Sequence, residues 1–211
     1  MQLSRQQIDQ LESRKRANLI NSITGIKPAN LVGTKSANGV ENLAIFNSIV
    51  HLGSNPPLIG LIMRPVGEVP RHTYANIKAS GHYTINAVPN DKTEAAHFTS
   101  AKFEEDESEF EACHFQPRYI GDFDAPFVKE SPIKFGLSLV EEIPIRHNGT
   151  IFMIGEIMHL FIQDALISKE GYIDLDKVSV AGISGLNSYY DLKMIDTYPY
   201  AQKENLFQKK D

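Results

Sequence analysis

The chain has 211 residues, 42% apolar and 22% charged, close to globular averages and long enough to bury a core without disulfides or metal. Twenty-one basic residues against 26 acidic ones give a net charge of −5, which argues against a nucleic-acid partner, because such binding needs a concentrated basic surface. Cys113 is the only cysteine, which rules out an internal disulfide framework and any CxxC site and fits a reducing compartment. Residues 1–18 are polar and charged, unlike a secretory signal. Residues 150–162, the most apolar segment, hold Glu156 and His159 and are too short to span a bilayer. The expectation is a soluble, cytoplasmic protein with no membrane partner, folded as one domain over residues 1–211.

Ser4 and Gln7 stand at capping-box spacing, and Ile8 and Leu11 share a helical face, which predicts a helix over residues 4–17. Residues 30–34 (NLVGT) and 42–46 (NLAIF) are short β-like runs joined through a tight-turn signal at residues 36–39 (SANG). Residues 57–63 (PLIGLIM) form a more continuous apolar strand, entered through Pro56-Pro57 and left at Pro65. Thr73 as N-cap and Gly81 as C′ residue bracket a short helix. Residues 82–88 resume as a strand, and residues 91–103 read as helical. Residues 104–111 hold six acids in eight positions and read as a solvated face.

Residues 135–145 and 150–162 are two long alternating strands. Asn148-Gly149 between them is the strongest short-range hairpin signal in the chain, and the sequon Asn148-Gly149-Thr150 reads as part of that turn. Residues 165–211 read as an irregular extension with one further strand near Val178. Many short strands with a few helices suggest a small closed or partly closed β-barrel; an open antiparallel sheet covered by helices competes.

Several chemistries lack their residues. No GxGxxG follows a strand, and no GxxxxGK[ST] loop, HExxH, zinc-spaced His/Cys set or GxSxG elbow occurs. His82 and His159 lie inside predicted strands and read as structural; Cys113 reads as packing. What remains is a polar constellation. Asn42, Asn47, Ser48, His51 and Ser54 are interleaved with Leu43, Ala44, Phe46 and Ile49. Arg64 ends the next strand, Arg71, His72, Thr73 and Asn76 open a helix, and His97 and Ser100 follow about a turn apart. The free N–H groups of a helix N-terminus beside an arginine fork suit a phosphate. A strand of small apolar residues with amides and hydroxyls suits a flat heterocycle. The same residues also have plain roles: Thr73 as a cap only, Arg64 and Arg71 as surface charges, the asparagines in turns.

The runs at residues 27–34 (KPANLVGT), 39–48 (GVENLAIFNS), 56–60 (PPLIG) and 64–65 (RP) resemble the flavin reductase-like, FMN-binding split-barrel family, and within it the flavoredoxin-type branch. Residues 71–77 (RHTYANI), 81–86 (GHYTIN) and 94–100 (EAAHFTS) continue the resemblance, which is strongest over residues 18–110 and extends through the hairpin to residue 162. It implies a mainly β fold, an antiparallel Greek-key split β-barrel with short peripheral helices, working as a homodimer with FMN at or near the subunit interface. Residues 42–48, namely Asn42, Leu43, Ala44, Phe46, Asn47 and Ser48 among them, would line the isoalloxazine ring, and Arg64 would close that side. Arg71, Thr73 and Asn76 would contact the phosphate and ribityl chain, with His97 and Ser100 near the same end. For Gly33, Thr34, His51 and Ser54 a structural role has equal standing.

One departure matters. Many relatives carry an arginine before Gly-Gly and a tyrosine near the C-terminus; residues 178–190 (VSVAGISGLNSYY) keep the glycines and tyrosines without the arginine, which bears on any nicotinamide contact there. The implied activity is an FMN oxidoreductase of the flavin reductase type, passing electrons from NADH or NADPH through flavin to an acceptor, with no catalytic side chain because the flavin N5 carries the chemistry. The alternative is a non-catalytic FMN electron carrier reduced by a redox protein. A cofactor-free β-barrel interaction protein is a third reading.

Overall fold

A computed structural model of the chain describes residues 1–67 and 69–203. The expected capping box forms: the Gln7 N–H donates to Ser4 Oγ and the Ser4 N–H to Gln7 Oε1. It opens α1 (Arg5–Asp9), but the helix expected over residues 4–17 is two helices. Arg16 donates to the Asp9 carbonyl at the end of α1, and Glu12 caps α2 (Ser13–Ser22) by accepting from the N–H groups of Arg14 and Lys15. A side-chain carboxylate that satisfies two first-turn donors starts a new helix there.

β1 (Lys27–Pro28) leads into β2 (Asn30–Lys35), β3 (Glu41–Phe46), β4 (Ile49–Ser54) and β5 (Pro57–Met63). Then come α3 (His72–Ser80), β6 (His82–Ala87), α4 (Thr93–Phe98), α5 (Glu109–Ala112), and the short pair β7 (Pro117–Arg118) and β8 (Phe127–Val128). The long strands β9 (Lys134–Ile145) and β10 (Thr150–Phe161) follow, joined through the expected turn with Gly149 at φ 73°. The chain continues through α6 (Leu175–Val178), β11 (Ala181–Ser184) and β12 (Ser188–Asp191). Two expectations are corrected. The helix predicted over residues 91–103 is a 3-10 turn plus α4, closed at Thr99, whose hydroxyl donates to the Ala96 carbonyl. Val178 itself ends a helical turn at left-handed Ser179, and the strand expected near it is β11, which pairs with β1 on one side and with β12 on the other. Among the described residues no helix is long and apolar enough to cross a membrane.

Seven strands form one antiparallel sheet in the order β3-β2-β6-β9-β10-β5-β4. Its two edges, β3 and β4, are joined by only Asn47 and Ser48. Laid flat, six strand spacings of about 4.8 Å would part the edges by roughly 29 Å. A two-residue link spans roughly 10 Å. The sheet therefore rolls until its edges converge at that link. No ladder joins β3 to β4, so the mainly β, antiparallel class with short helices is found while the strands do not close into a barrel by pairing.

The roll encloses Val32, Leu61, Met63, Tyr83, Ile85, Leu137 and Met153, with Ile77 of α3 packed among them. Alternate residues of β2 and β3, Leu31 and Leu43, point the other way into a second core with Ala96, Phe110, Cys113, Phe115 and Ile183. β2 and β3 are thus apolar on both faces, each face covered by the chain itself.

Gly155 faces Tyr83 inside the roll, where an added Cβ would overlap the Tyr83 hydroxyl. That hydroxyl is buried without a hydrogen-bond partner, and burial pushes its pKa up. Gly155→Ala should lower stability by about 1–3 kcal/mol through overpacking. Tyr83→Phe should recover part of that loss and stabilise the parent by about 1 kcal/mol, since it removes the hydroxyl overlap and an unsatisfied hydroxyl while the ring carbon 2.9 Å from the added Cβ stays. Chemical denaturation of the single and double variants checks both outcomes.

Candidate functional site

α3 begins without a side-chain cap. Arg71, not the expected Thr73, occupies the N-cap position, no acid lies in the first turn, and among the described residues no side chain accepts from the first N–H groups. Thr73 sits one residue inside the helix and spends its hydroxyl on Asn42. Arg71 is half-buried and its Nε donates to the Pro65 carbonyl at 3.3 Å, which ties the start of α3 to the segment leaving β5. Arg64, exposed, lies on that segment, and neither arginine has a carboxylate partner among the described residues. Nine residues of helix thus aim a positive end at a place beside the Arg71 guanidinium, with Arg64 next in the chain to the Pro65 that Arg71 holds.

The position of that helix end is set by a buried polar network. The Asn42 amide donates to both Glu109 carboxylate oxygens at 2.7 Å, and the Leu43 N–H donates to one of them at 2.9 Å. The Asn42 oxygen accepts from Thr34 at 3.1 Å and from Thr73 at 3.0 Å, and Asn76 donates to Thr34 at 3.1 Å. All five polar side chains are buried, Glu109 to 5% exposure. Glu109 corrects the reading of residues 104–111 as a uniformly solvated face. Its only sequence signal is Phe110 beside it, and its partners lie 66 and 67 residues away. Three donated hydrogen bonds compensate the buried carboxylate. Burial, and then the nearby Glu109 charge, push the Cys113 thiol up, in keeping with a packing role.

The remaining predicted residues fall into three groups. Leu43 points into the second core, while Asn42, on the opposite face of β3, has every polar atom of its side chain engaged inside the protein. Ala44, opposite Val32, and Phe46 face the rolled interior. Gly33 is structural, because a Cβ there would overlap the Pro126 carbonyl and the Thr84 hydroxyl. Asn47 and Ser48 form the link itself: Asn47 donates to the Gly185 carbonyl at 2.6 Å, and Ser48 exchanges bonds with Ile62 of β5. Ser48, Arg64 and the β9–β10 turn therefore share one end of the sheet, since Ile62 pairs with Phe152, Met63 with Ile151, and Gly149 abuts Pro65. His51 and Ser54 are exposed on edge strand β4.

His97 stands apart from that end and meets the C-terminal hairpin instead. Its Nδ1 lies 3.3 Å from the Tyr189 hydroxyl, which burial pushes up to about 12. Ser100, exposed, donates to the His97 carbonyl. The β11–β12 hairpin thus touches both Asn47 and His97, a convergence the sequence did not signal. The structure brings Asn47, Ser48, Arg64 and Arg71 to one end, with Thr73 and Asn76 holding the helix that points there.

A phosphorylated flavin fits this end by chemistry: helix N–H groups and two arginines that have no carboxylate partner among the described residues, for a dianion, and a serine and asparagine link beside them for ring polar atoms. The cavity of about 40 Å³ beside Asn42 and Asn76 does not suit it, being water-sized and walled by Glu105 and Glu107. Removing the Glu109 carboxylate tests the network. Glu109→Ala should cost about 3 kcal/mol by stranding the Asn42 amide and the Leu43 N–H, and Glu109→Gln clearly less, measured by thermal unfolding.

A family model described as flavin reductase like domain matches residues 26–180. A crystal structure from Shewanella frigidimarina, assigned as a flavin reductase with a split barrel domain, is 48% identical, covers 95% of this chain and 100% of its own, and superposes with a TM-score of 0.91. Nitrilotriacetate monooxygenase component B from Bacillus cereus shares the fold at 19% identity and a TM-score of 0.83, over 94% of this chain and 98% of its own. The flavoredoxin of Desulfovibrio vulgaris does so at 24% and 0.71, over 83% and 92%. By the extent of the family match and by its likeness to the Shewanella structure, the chain belongs to the flavin reductase-like family.

Proposed function

We propose that the chain binds FMN at the end of the sheet where α3 begins, as a split-barrel oxidoreductase that takes electrons from NADH or NADPH. The observation that carries this is the uncapped N-terminus of α3, positioned by the Glu109–Asn42–Thr73 network beside Arg71 and Arg64. Arg71 and the helix N–H groups hold the phosphate; Asn47 and Ser48 orient the ring; Arg64 screens negative charge at its edge. When bound, FMN supplies the hydride and single-electron chemistry. The protein needs no general acid or base and works by orientation.

The working form is a homodimer. Leu58 and Ile62 of β5, Phe152 and Ile154 of β10, Ile143 of β9 and Val50 of β4 line the face of the sheet opposite the rolled core. Unlike the outer face of β2 and β3, this one is left open by the described residues: Val50 is 47% and Ile143 41% exposed. Strands apolar on both faces require cover on both, and a second copy supplies it next to Asn47, Ser48 and Arg64. One observation favours a second reading, an FMN electron carrier reduced by a protein: the hairpin against Asn47 and His97 carries no cationic residue between positions 178 and 190.

The purified protein, titrated with FMN and then mixed with NADH or NADPH without oxygen, should show a bound-flavin spectrum that bleaches. Bound flavin that stays oxidised selects the carrier, and no binding at saturating FMN refutes the flavin reading. Arg71→Ala should weaken FMN binding about 10- to 100-fold, followed by fluorescence quenching. Ile143→Glu should convert dimer to monomer in sedimentation equilibrium.

A further inference from the structure

The N-terminal helices present a puzzle that the flavin site does not absorb. α1 and α2 are well capped at their starts, yet none of their residues is fully buried, and Ile8 and Leu19 are only half-buried. Helices of five and ten residues are marginal in water on their own, and most helical stability in proteins comes from packing an apolar stripe. Such a stripe is present: Leu19, Ile20 and Ile23 recur at helical spacing, and Ile20 and Ile23 are 44% and 66% exposed. Beside it an open groove of about 460 Å³ runs between the helices, lined by Met1, Leu11 and Leu19 together with the charged Glu12, Arg14 and Lys15.

Charge distinguishes this element from the rest. Arg14, Lys15 and Arg16 are consecutive at the start of α2, in a chain whose net charge is −5. The densest acidic surface is the exposed run Glu104, Glu105, Asp106 and Glu107. The foot of the arm also lies beside the proposed dimer face. Ser22 packs near Gly185, the Gly185 carbonyl accepts from Asn47, and Asn47 leads directly into edge strand β4.

We infer that α1 and α2 form an exchanged arm: in the dimer, on which this inference rests, each copy lays the apolar stripe and basic start of α2 on the other, with the acidic run 104–107 of the second copy as its charge partner. The arm extends the sheet-face contact and adds specificity for a second copy, because an apolar face alone does not choose its partner.

Sedimentation equilibrium of the full-length, FMN-loaded protein tests it. Ile20→Glu, and separately the pair Arg14→Glu with Lys15→Glu, should each weaken the dimer tenfold or more. Glutamate in the first turn of a helix is favourable, so the charge-reversed α2 keeps its helicity, which circular dichroism checks. Adding Glu105→Lys and Asp106→Lys to the Arg14/Lys15 variant should restore the affinity. Wild-type dimerisation in all arm variants overturns the arm and leaves the sheet-face dimer standing. Weakening without charge rescue overturns the acidic run as the docking surface. A monomeric wild type overturns the dimer reading and the arm with it.

Discussion

Two residues decide the shape of this protein. Asn47 and Ser48 connect strands that stand at opposite edges of a seven-stranded sheet, and a chain that short cannot bridge a flat one. The roll follows, and with it the enclosed core of Val32, Leu61, Tyr83 and Met153 and the gathering of β5, β10 and α3 at one end. Ser48 is bonded to Ile62 and Asn47 to Gly185, so the link that imposes the curvature is itself fastened to β5 and to the C-terminal hairpin. A constraint on backbone reach thereby becomes the wall of the candidate site.

The second organising element is a carboxylate inside the protein. Glu109 takes three hydrogen bonds from Asn42 and Leu43, and Asn42 passes the connection on to Thr73 in the first turn of α3. The polar atoms at positions 42, 73 and 76 that hydrogen-bond in this structure do so with one another, Thr34 and Glu109, and together they hold the start of α3 in place. Such an arrangement suits anion binding. Donors fixed by a rigid network lose little freedom when a dianion arrives, and a buried polar network left half-satisfied would be costly.

The apolar faces make a third pattern. β2 and β3 are covered on both sides by their own chain, through the rolled core and through α4, α5 and the C-terminal hairpin. β5 and β10 are as apolar as these strands, and the chain covers only their inner side. The continuous run PLIGLIM and the apolar stretch 150–162 are the sequence signature of that two-sided apolarity, on which the proposed dimer rests. The same logic, applied to helices with no fully buried residue, leads to the proposed N-terminal arm.

What the sequence determined by itself is what neighbours in the chain decide. The Ser4–Gln7 capping box, the end of α3 at Gly81, the β9–β10 turn at Asn148-Gly149 and the family resemblance carried by residues 27–100 rest on short-range spacing and stereochemistry. The tertiary structure alone decided the rest. Glu109 looks like its acidic neighbours until β3 is laid beside it, 66 residues back along the chain. Thr73 looks like a cap until Asn42 claims its hydroxyl, and Val178 looks like a strand until the left-handed Ser179 turns the chain toward β1. A residue's role here depends on which distant donor or acceptor reaches it. Local pattern cannot encode that, because burial changes the cost of an unpaired polar group far more than sequence context does.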